Sequence, residues 1–424
     1  SMVSGSMTAT GVHLRSQAMV RHDRRMQTGA LAGLRVLDIS TFLAAPQVSA
    51  MLGDFGADVI KLEPPGGEAL RRIGAQRNGA SLPWAMTSRN KRTITCDLER
   101  EEGRELFKRL VPHVDVLVEN YPAATLERWG CAWDDLVAIN PDLVMVSVSC
   151  YGRTGPLADR AGAGTLAEAF GGLTHMTGEP DGPPMLPSIP LGDTLVAFSG
   201  VIGALVAAWH AKVNGGGGQH VDVSMYEPVL TLMQSTILAW DPESGEPPPH
   251  RTGSRVPNGV PRNVYRSRDG RWLVVSGTTD RQVERILTLL GRDTEEDRAK
   301  FARSADRLRH ADELDGLVAS WVASKDADEV IALLDEQRIP VAPVHDVPGL
   351  LADPQIRERG SLTVVEDPAL GKVTLVTPSP RLSATPGRIR FTGPPPGAHN
   401  EEVYGELLGL DAAELARLSS AGVI

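Results

Sequence analysis

Cysteine is scarce in this chain. Its 424 residues hold three, Cys96, Cys131 and Cys150, odd in number, far apart and without CxxC or Cys/His spacing, which excludes a disulfide framework and a structural zinc centre. Positive charge is also short: 43 Lys and Arg against 53 Asp and Glu leave a formal net charge of −10. Bulk nucleic-acid binding is excluded, and any polyanionic ligand needs a local basic pocket. No GxGxxG follows the first strand-like segment, so the phosphate-cradling loop of a nicotinamide enzyme is missing. The uncharged run at 194–209 falls short of the roughly 20 residues of a membrane span. His175, His210, His220, His345 and His399 have no Ser, Cys or metal-ligand partner at telling spacing, and read as packing or surface histidines. Residues 1–30 carry Arg15, Arg21, Arg24 and Arg25 without the apolar stretch of a signal peptide; they read as a disordered, vector-derived tail on a cytoplasmic protein.

What is present describes a globular α/β protein. Hydrophobic residues make up 42% and charged residues 23%, enough for a large core and more than one domain. Residues 33–40 form a short apolar run bounded by Gly33 and Ser40, which predicts a buried parallel strand. A glycine-free turn leads to a helix at 47–55 and a second strand at 56–63. The basic cluster Arg89-Asn90-Lys91-Arg92 enters a third strand, followed by a helix at 101–110 and strands at 114–120 and 143–149. This alternation predicts a doubly wound, Rossmann-like parallel sheet within a large domain, residues 31–225. The Gly- and Pro-rich stretch 151–190 is expected to line a ligand site. Beyond a helix at 227–240, a hairpin about Asp269-Gly270 and helices near 280–291, 311–324 and 326–336 predict a smaller α+β lobe, residues 226–344 with its linkers. Residues 339–344 are expected to leave that lobe, and 345–424 to return to the large domain and end in a helix at 412–420.

One stretch stands out. In Pro187 to His210, Asp193 is the only formally charged residue, followed by an uncharged run with small residues at Ala197, Gly200 and Ala204. The run predicts a fully buried helix packed closely on its neighbours, with Asp193 at its N-terminus. Aspartate is a favoured N-cap, which explains the residue without function. The alternative is a carboxylate nucleophile in an apolar pocket, kept ionised by the helix N-terminus and sharpened by lost hydration.

The order of motifs decides between them. Gly33-Leu-Arg-Val-Leu-Asp-Ile-Ser, Gly56-Ala-Asp-Val-Ile-Lys-Leu-Glu-Pro-Pro, Asn90-Lys-Arg, Val118-Glu-Asn-Tyr-Pro122, Gly178-Glu-Pro-Asp-Gly-Pro-Pro184, Leu191-Gly-Asp193 and Gly218-Gln-His-Val-Asp-Val-Ser together resemble the class III CoA-transferase family, from residue 33 onward. The resemblance implies that Asp193 is catalytic, attacking an acyl-CoA thioester to give an aspartyl mixed anhydride and then an enzyme CoA-thioester. Backbone N–H groups near Gly192, or from a partner's small lobe, would meet the oxyanions. It implies coenzyme A contacts at Leu43, Ala44, Cys96, Asp97, Leu98, Glu99, Asn120, Tyr121, Pro122 and Arg128. Lys91 and Arg92 are candidates for phosphate charge, or else a solvated face. Acyl-CoA and a small carboxylic acid are then the substrates, no cofactor is permanently bound, and the chain forms an interlocked homodimer, with no nucleic-acid or membrane partner.

Three departures qualify the resemblance. Pro64 and Glu99 stand where the family often has basic residues, so some phosphate contacts must come from elsewhere. The loop 160–165 lacks the His-acid pair of the family's racemase branch and the Tyr-Glu pair of its formyl-CoA branch, having Ala163 and Gly164 instead. Inverting an α-carbon needs an acid and a base on opposite faces, so transfer is favoured over racemisation or isomerisation. Binding of CoA without turnover leaves Asp193 unexplained. Glu168 could face the site, but reads as a solvated helix charge.

Overall fold

The computed structural model describes residues 29–256 and 258–424, so the predicted tail lies outside the described residues except for its last two. Six short strands build a parallel sheet: β1 (Arg35–Asp38), β2 (Asp58–Glu63), β3 (Lys91–Thr95), β4 (Val116–Glu119), β5 (Val144–Ser149) and β6 (Gln219–Ser224), in the order β3-β2-β1-β4-β5-β6. This is the strand order of a doubly wound dinucleotide fold, and the winding reverses between β1 and β4. The helices that follow are α1 (Ala44–Asp54), α2 (Glu101–Leu110), α3 (Ala123–Trp129), α4 (Gly164–Phe170), α5 (Leu191–Val213) and α6 (Tyr226–Ala239).

Period-two alternation along the strands feeds two cores. Val36, Val59, Val116 and Val146 point to one face and meet Val48 and Leu52 of α1 and Ala197 and Ala204 of α5. Leu37, Ile60, Leu117 and Met145 point to the other and meet Leu106 and Phe107 of α2. Burial on both faces explains why the strands read as continuous apolar runs. Close packing of α5 on α1 needs Gly200, where a Cβ would come within 2.6 Å of the Val48 side chain.

Helix α5 is not fully buried, contrary to expectation. Only its small-residue face meets α1 and the sheet, while Phe198, Ile202, Val206 and Trp209 are 50–64% exposed in the single chain. It also extends three residues earlier and four later than predicted, to 23 residues. By length and composition alone it could cross a membrane, yet its Ala and Gly face is packed inside the protein.

A second sheet is antiparallel, with β7 (Arg262–Arg266), β8 (Trp272–Ser276) and β9 (Val341–Pro343) in the order β9-β8-β7. Around it lie α7 (Asp280–Leu289), α8 (Glu295–Phe301), α9 (Ser304–Arg309), α10 (Ala311–Ala323) and α11 (Ala327–Glu336). Leu273 and Val275 of β8 share a core with Ile286, Val318 and Val330. Residues 341–343, read as part of the segment that leaves this unit, form its third strand, because Leu273–Val275 offers them a free edge that tolerates Pro343. The short, charge-rich α8 and α9 had no readable period. Nor did the hairpin β10 (Leu362–Asp367) and β11 (Gly371–Val376) or α12 (Asn400–Leu408), whereas α13 (Ala412–Ser420) matches its predicted span. Both α12 and α13 return to the first sheet, Tyr404, Leu415 and Leu418 joining the Leu37 core. There α12 closes the β3 edge: Thr93 N donates to His399 Nδ1 at 3.1 Å and Thr95 N to Asn400 Oδ1 at 2.9 Å.

Candidate active site

The predicted contact residues gather at the C-terminal ends of the parallel strands, where doubly wound sheets bind ligands. After β1, the turn at 41–43 places Phe42 at φ 64°, left-handed for a residue with a Cβ. It is held by Asn120 after β4: Thr41 N donates to Asn120 Oδ1 and Asn120 Nδ2 to Thr41 O. Leu43 precedes α1 as its N-cap and Ala44 begins it. Tyr121 packs edge-on against Trp129, ring centroids 5.1 Å apart, and its N–H donates to Glu119 Oε2. Pro122 is the N-cap of α3, and Arg128 is exposed in its last turn. Leu43, Ala44, Asn120, Tyr121 and Pro122 thus share the switch point between β1 and β4.

Cys96 to Glu99 follow β3, two strands farther along the same edge. Cys96 and Leu98 are core residues, and burial pushes the Cys96 thiol up to about 12. A ligand here would meet the backbone and the side chains of Asp97 and Glu99 instead. Positive charge arrives from a residue that sequence reasoning did not single out: Arg104 Nη1 donates to Leu98 O at 3.1 Å and Glu99 O at 2.9 Å. Burial raises the Cys131 thiol, just past α3; Lys108 and Arg104 of α2 oppose that shift, while Asp135 and Glu105 add to it.

Lys91 and Arg92 are neither solvated nor free for phosphate. Both are buried in β3, because their acidic partners come from distant parts of the chain. Lys91 Nζ lies 2.7 Å from Asp38 Oδ2 and 2.7 Å from Pro46 O. Lys61 Nζ is 3.6 Å from Asp38 Oδ1 and 3.0 Å from Glu68 Oε2, and also donates to the Ser40 carbonyl. Burial alone would raise the Asp38 carboxyl, but Lys61 and Lys91 outweigh it and hold it well below the ordinary range. Burial pulls Lys91 down to about 8. Arg92 is taken by Asp58 at 2.7 Å and Glu402 at 2.9 Å. The ammonium groups bond to carbonyls at both ends of the β1–α1 connection, so this buried network anchors the turn beneath the candidate site.

Asp193 is not the cap of α5. The N-cap is Pro190, and Asp193 is the third helical residue, half-buried in the first turn. Its carboxylate lies against Gly164, the first residue of α4, where a Cβ would come within 2.4 Å of Asp193 Oδ2. Gly164 therefore leaves room that the carboxylate occupies. Glu168, one turn along α4, is fully buried, contrary to its reading as a solvated charge. Its Oε1 accepts from Gly192 N at 2.8 Å, while its Oε2 is buried with no hydrogen-bond partner. Two glycines bring the helices close enough to enclose it: a Cβ on Gly192 would meet Gly164 O at 2.7 Å. The available signal was that Glu168 is the only titratable residue of α4. Its hydrogen bond also occupies the Gly192 N–H, which removes that group as the expected oxyanion donor. Burial first, and the Glu168 charge second, raise the Asp193 carboxyl above its ordinary range. A half-exposed carboxylate of raised basicity can act as a nucleophile or base.

The model of CoA-transferase family III matches residues 31–400. Over 396 residues the chain is 42% identical to succinyl-CoA–D-citramalate CoA-transferase of Chloroflexus aurantiacus, covering 93% of this chain and 98% of that one. It is 38% identical to the beta subunit of succinyl-CoA–L-malate CoA-transferase from the same organism, covering 95% and 100%. The crystal structure of a CAIB/BAIF family protein from Brucella suis superimposes with a TM-score of 0.77 at 30% identity, covering 90% of this chain and all of that one. With the family model spanning nearly the whole chain and relatives aligned end to end, the chain belongs to CoA-transferase family III, enzymes that move coenzyme A between an acyl-CoA and a carboxylic acid.

Proposed function

We propose that the chain transfers CoA from succinyl-CoA to a small dicarboxylic acid of the malate or citramalate kind, through covalent chemistry on Asp193. The donor and acceptor classes rest on the names of the relatives. The observation that carries the chemistry is the half-buried Asp193 carboxylate against Gly164, at the ligand-binding edge of the sheet. An Asp193 oxygen attacks the thioester carbonyl, the C–S bond breaks, and the electron pair leaves as CoA thiolate. The thiolate attacks the aspartyl carbonyl of the anhydride, releasing succinate and leaving CoA on Asp193. The acceptor carboxylate then attacks this thioester, and the returning thiolate takes the acceptor's acyl group and frees Asp193. No net proton is moved.

Coenzyme A lies across the ends of β1, β4 and β3 in this reading, with Arg104, Lys108 and Arg128 supplying the charge absent at Pro64 and Glu99. Residues 226–344 act as a smaller lobe, with 345–424 returning to the large domain, and two chains interlock. The exposed apolar face of α5 supports such a partner. Racemisation lacks its second acid: Ala163 has no proton to give, and Glu168 is held against Gly192.

The test is incubation with succinyl-CoA followed by hydroxylamine and peptide mapping, then CoA exchange against L-malate, citramalate, glutarate and an aromatic acid. Modification of the Asp193 peptide and acid-dependent exchange are expected. Modification elsewhere, or transfer by Asp193→Ala near the wild-type rate, would remove Asp193 from the chemistry. Rapid α-deuteration of a 2-methylacyl-CoA in deuterated water without added acid would instead favour a racemase.

A further inference from the structure

We propose that Glu168 is a positioning residue for transfer: from within the α4–α5 contact it fixes the first turn of α5 through Gly192 and sets a second carboxylate beside that of Asp193. This rests on the reading of Asp193 as nucleophile.

The geometry is specific. Glu168 is completely buried, yet makes one hydrogen bond, from Gly192 N to Oε1 at 2.8 Å, and leaves Oε2 enclosed without a donor. A buried carboxylate this poorly compensated is costly, and an apolar side chain would pack the same contact at lower cost. Its placement has a use at the neighbouring residue. The bond ties Gly192, and with it Asp193, to α4, while the Gly164 backbone blocks the carboxylate from folding inward. Negative charge beside Asp193 favours the step in which charge leaves it: attack on the thioester converts the aspartate to a neutral anhydride and moves the electron pair onto the sulfur of CoA. Repulsion present before attack is relieved during it. The side chain acting electrostatically on Asp193 is Glu168 from α4, and Asp193 in turn helps to raise the Cys150 thiol just after β5. Tyr226 and Glu227 of α6, His220 and Asp222 of β6 and Asp54 of α1 are titratable groups on other elements packed against α5, and none of them is among the causes of the Asp193 shift.

The experiment compares wild type, Glu168→Gln, Glu168→Ala and Asp193→Ala in succinyl-CoA-dependent exchange. Glu168→Gln keeps an acceptor for Gly192 N–H and the side-chain volume but removes the charge. Its kcat is expected to fall about tenfold with KM for succinyl-CoA within about twofold, and the acid limb of kcat/KM to move to lower pH. Glu168→Ala, losing both functions, falls further, and Gln restores part of the loss. If Glu168→Gln matches wild type in kcat and in the acid limb while Asp193→Ala is inactive, Glu168 is a structural carboxylate and the proposal is overturned. If Asp193→Ala remains active, the nucleophile assignment itself fails, a different result from the same assay.

Discussion

Asn120 and Thr41 are joined twice, Thr41 N to Asn120 Oδ1 and Asn120 Nδ2 to Thr41 O, each at 2.9 Å. The pair bridges the ends of β1 and β4 and holds Phe42 in a left-handed conformation that costs a residue with a Cβ about 1–2 kcal/mol. Asn120→Ala lets the turn relax. Steady-state kinetics should show KM for the CoA ester rising about tenfold with kcat within about twofold, the pattern of lost uniform binding. Equal losses in kcat and kcat/KM would place the turn in the chemical step instead.

Gly164→Ala tests the room left for Asp193. Alanine is the better helix former, so by propensity α4 would gain. Its Cβ, however, would stand 2.4 Å from Asp193 Oδ2 and 2.9 Å from Cγ, and must displace the carboxylate. We expect kcat to fall about 100-fold, as for a misplaced reacting group, with the thermal midpoint nearly unchanged. Unaltered kcat would mean that the carboxylate position is not critical.

Positive charge on α2 should serve binding and not chemistry. Arg104→Ala is expected to raise KM for succinyl-CoA several-fold with little change in kcat, and to flatten the rise of KM with ionic strength. An unchanged salt dependence would show that Arg104 only ties down Leu98 and Glu99.

The Asp38 network sets an acid limit to stability. Asp38 has a folded pKa below its ordinary 3.8, so its contribution is complete above that range and is lost as pH falls through and below it. Urea midpoints at pH 7 and pH 3 should therefore differ more in wild type than in Asp38→Asn. At pH 7 the variant, in which buried Lys91 loses its carboxylate partner while Lys61 keeps only Glu68, should be less stable by about 3–5 kcal/mol. Equal pH dependence in the two proteins would remove Asp38 as the source.

Much of this arrangement was legible because parallel strands buried on both faces announce themselves as short apolar runs: 33–40, 56–63 and 143–149 all contain strands close to the expected bounds. What failed depended on partners distant in sequence. Lys91 and Arg92 look like a surface cluster until Asp38, Asp58 and Glu402 arrive to bury them. Glu168 looks solvated until the Gly164–Gly192 contact encloses it, and Arg104 is an ordinary helix charge until its guanidinium meets the 98–99 carbonyls. At Asp193 the helix N-terminus was legible to within one turn, and the capping alternative falls because the helix begins at Leu191 with Pro190 as its cap.

The exposed face of α5 yields a further measurement. Replacing both Ile202 and Val206, 63% and 64% exposed, with Asp leaves the packed face untouched. Light scattering should show wild type as a dimer and the double variant as a monomer with less activity. A wild-type monomer at micromolar concentration would exclude the interlocked assembly. Assembly only with a second kind of chain would point to a two-subunit enzyme.

The closure of β3 has a consequence for how the molecule comes into being. The N–H groups of Thr93 and Thr95 find their acceptors in His399 and Asn400, 306 and 305 residues downstream. While the chain grows on the ribosome, the outer strand of its first sheet stays open until nearly all of the remaining polypeptide has been made. For that interval it is a template for pairing with a neighbouring nascent chain. Yield during synthesis is thus governed by the arrival of one late helix, and truncation ahead of α12 leaves a sheet that is prone to join others before it can bind coenzyme A.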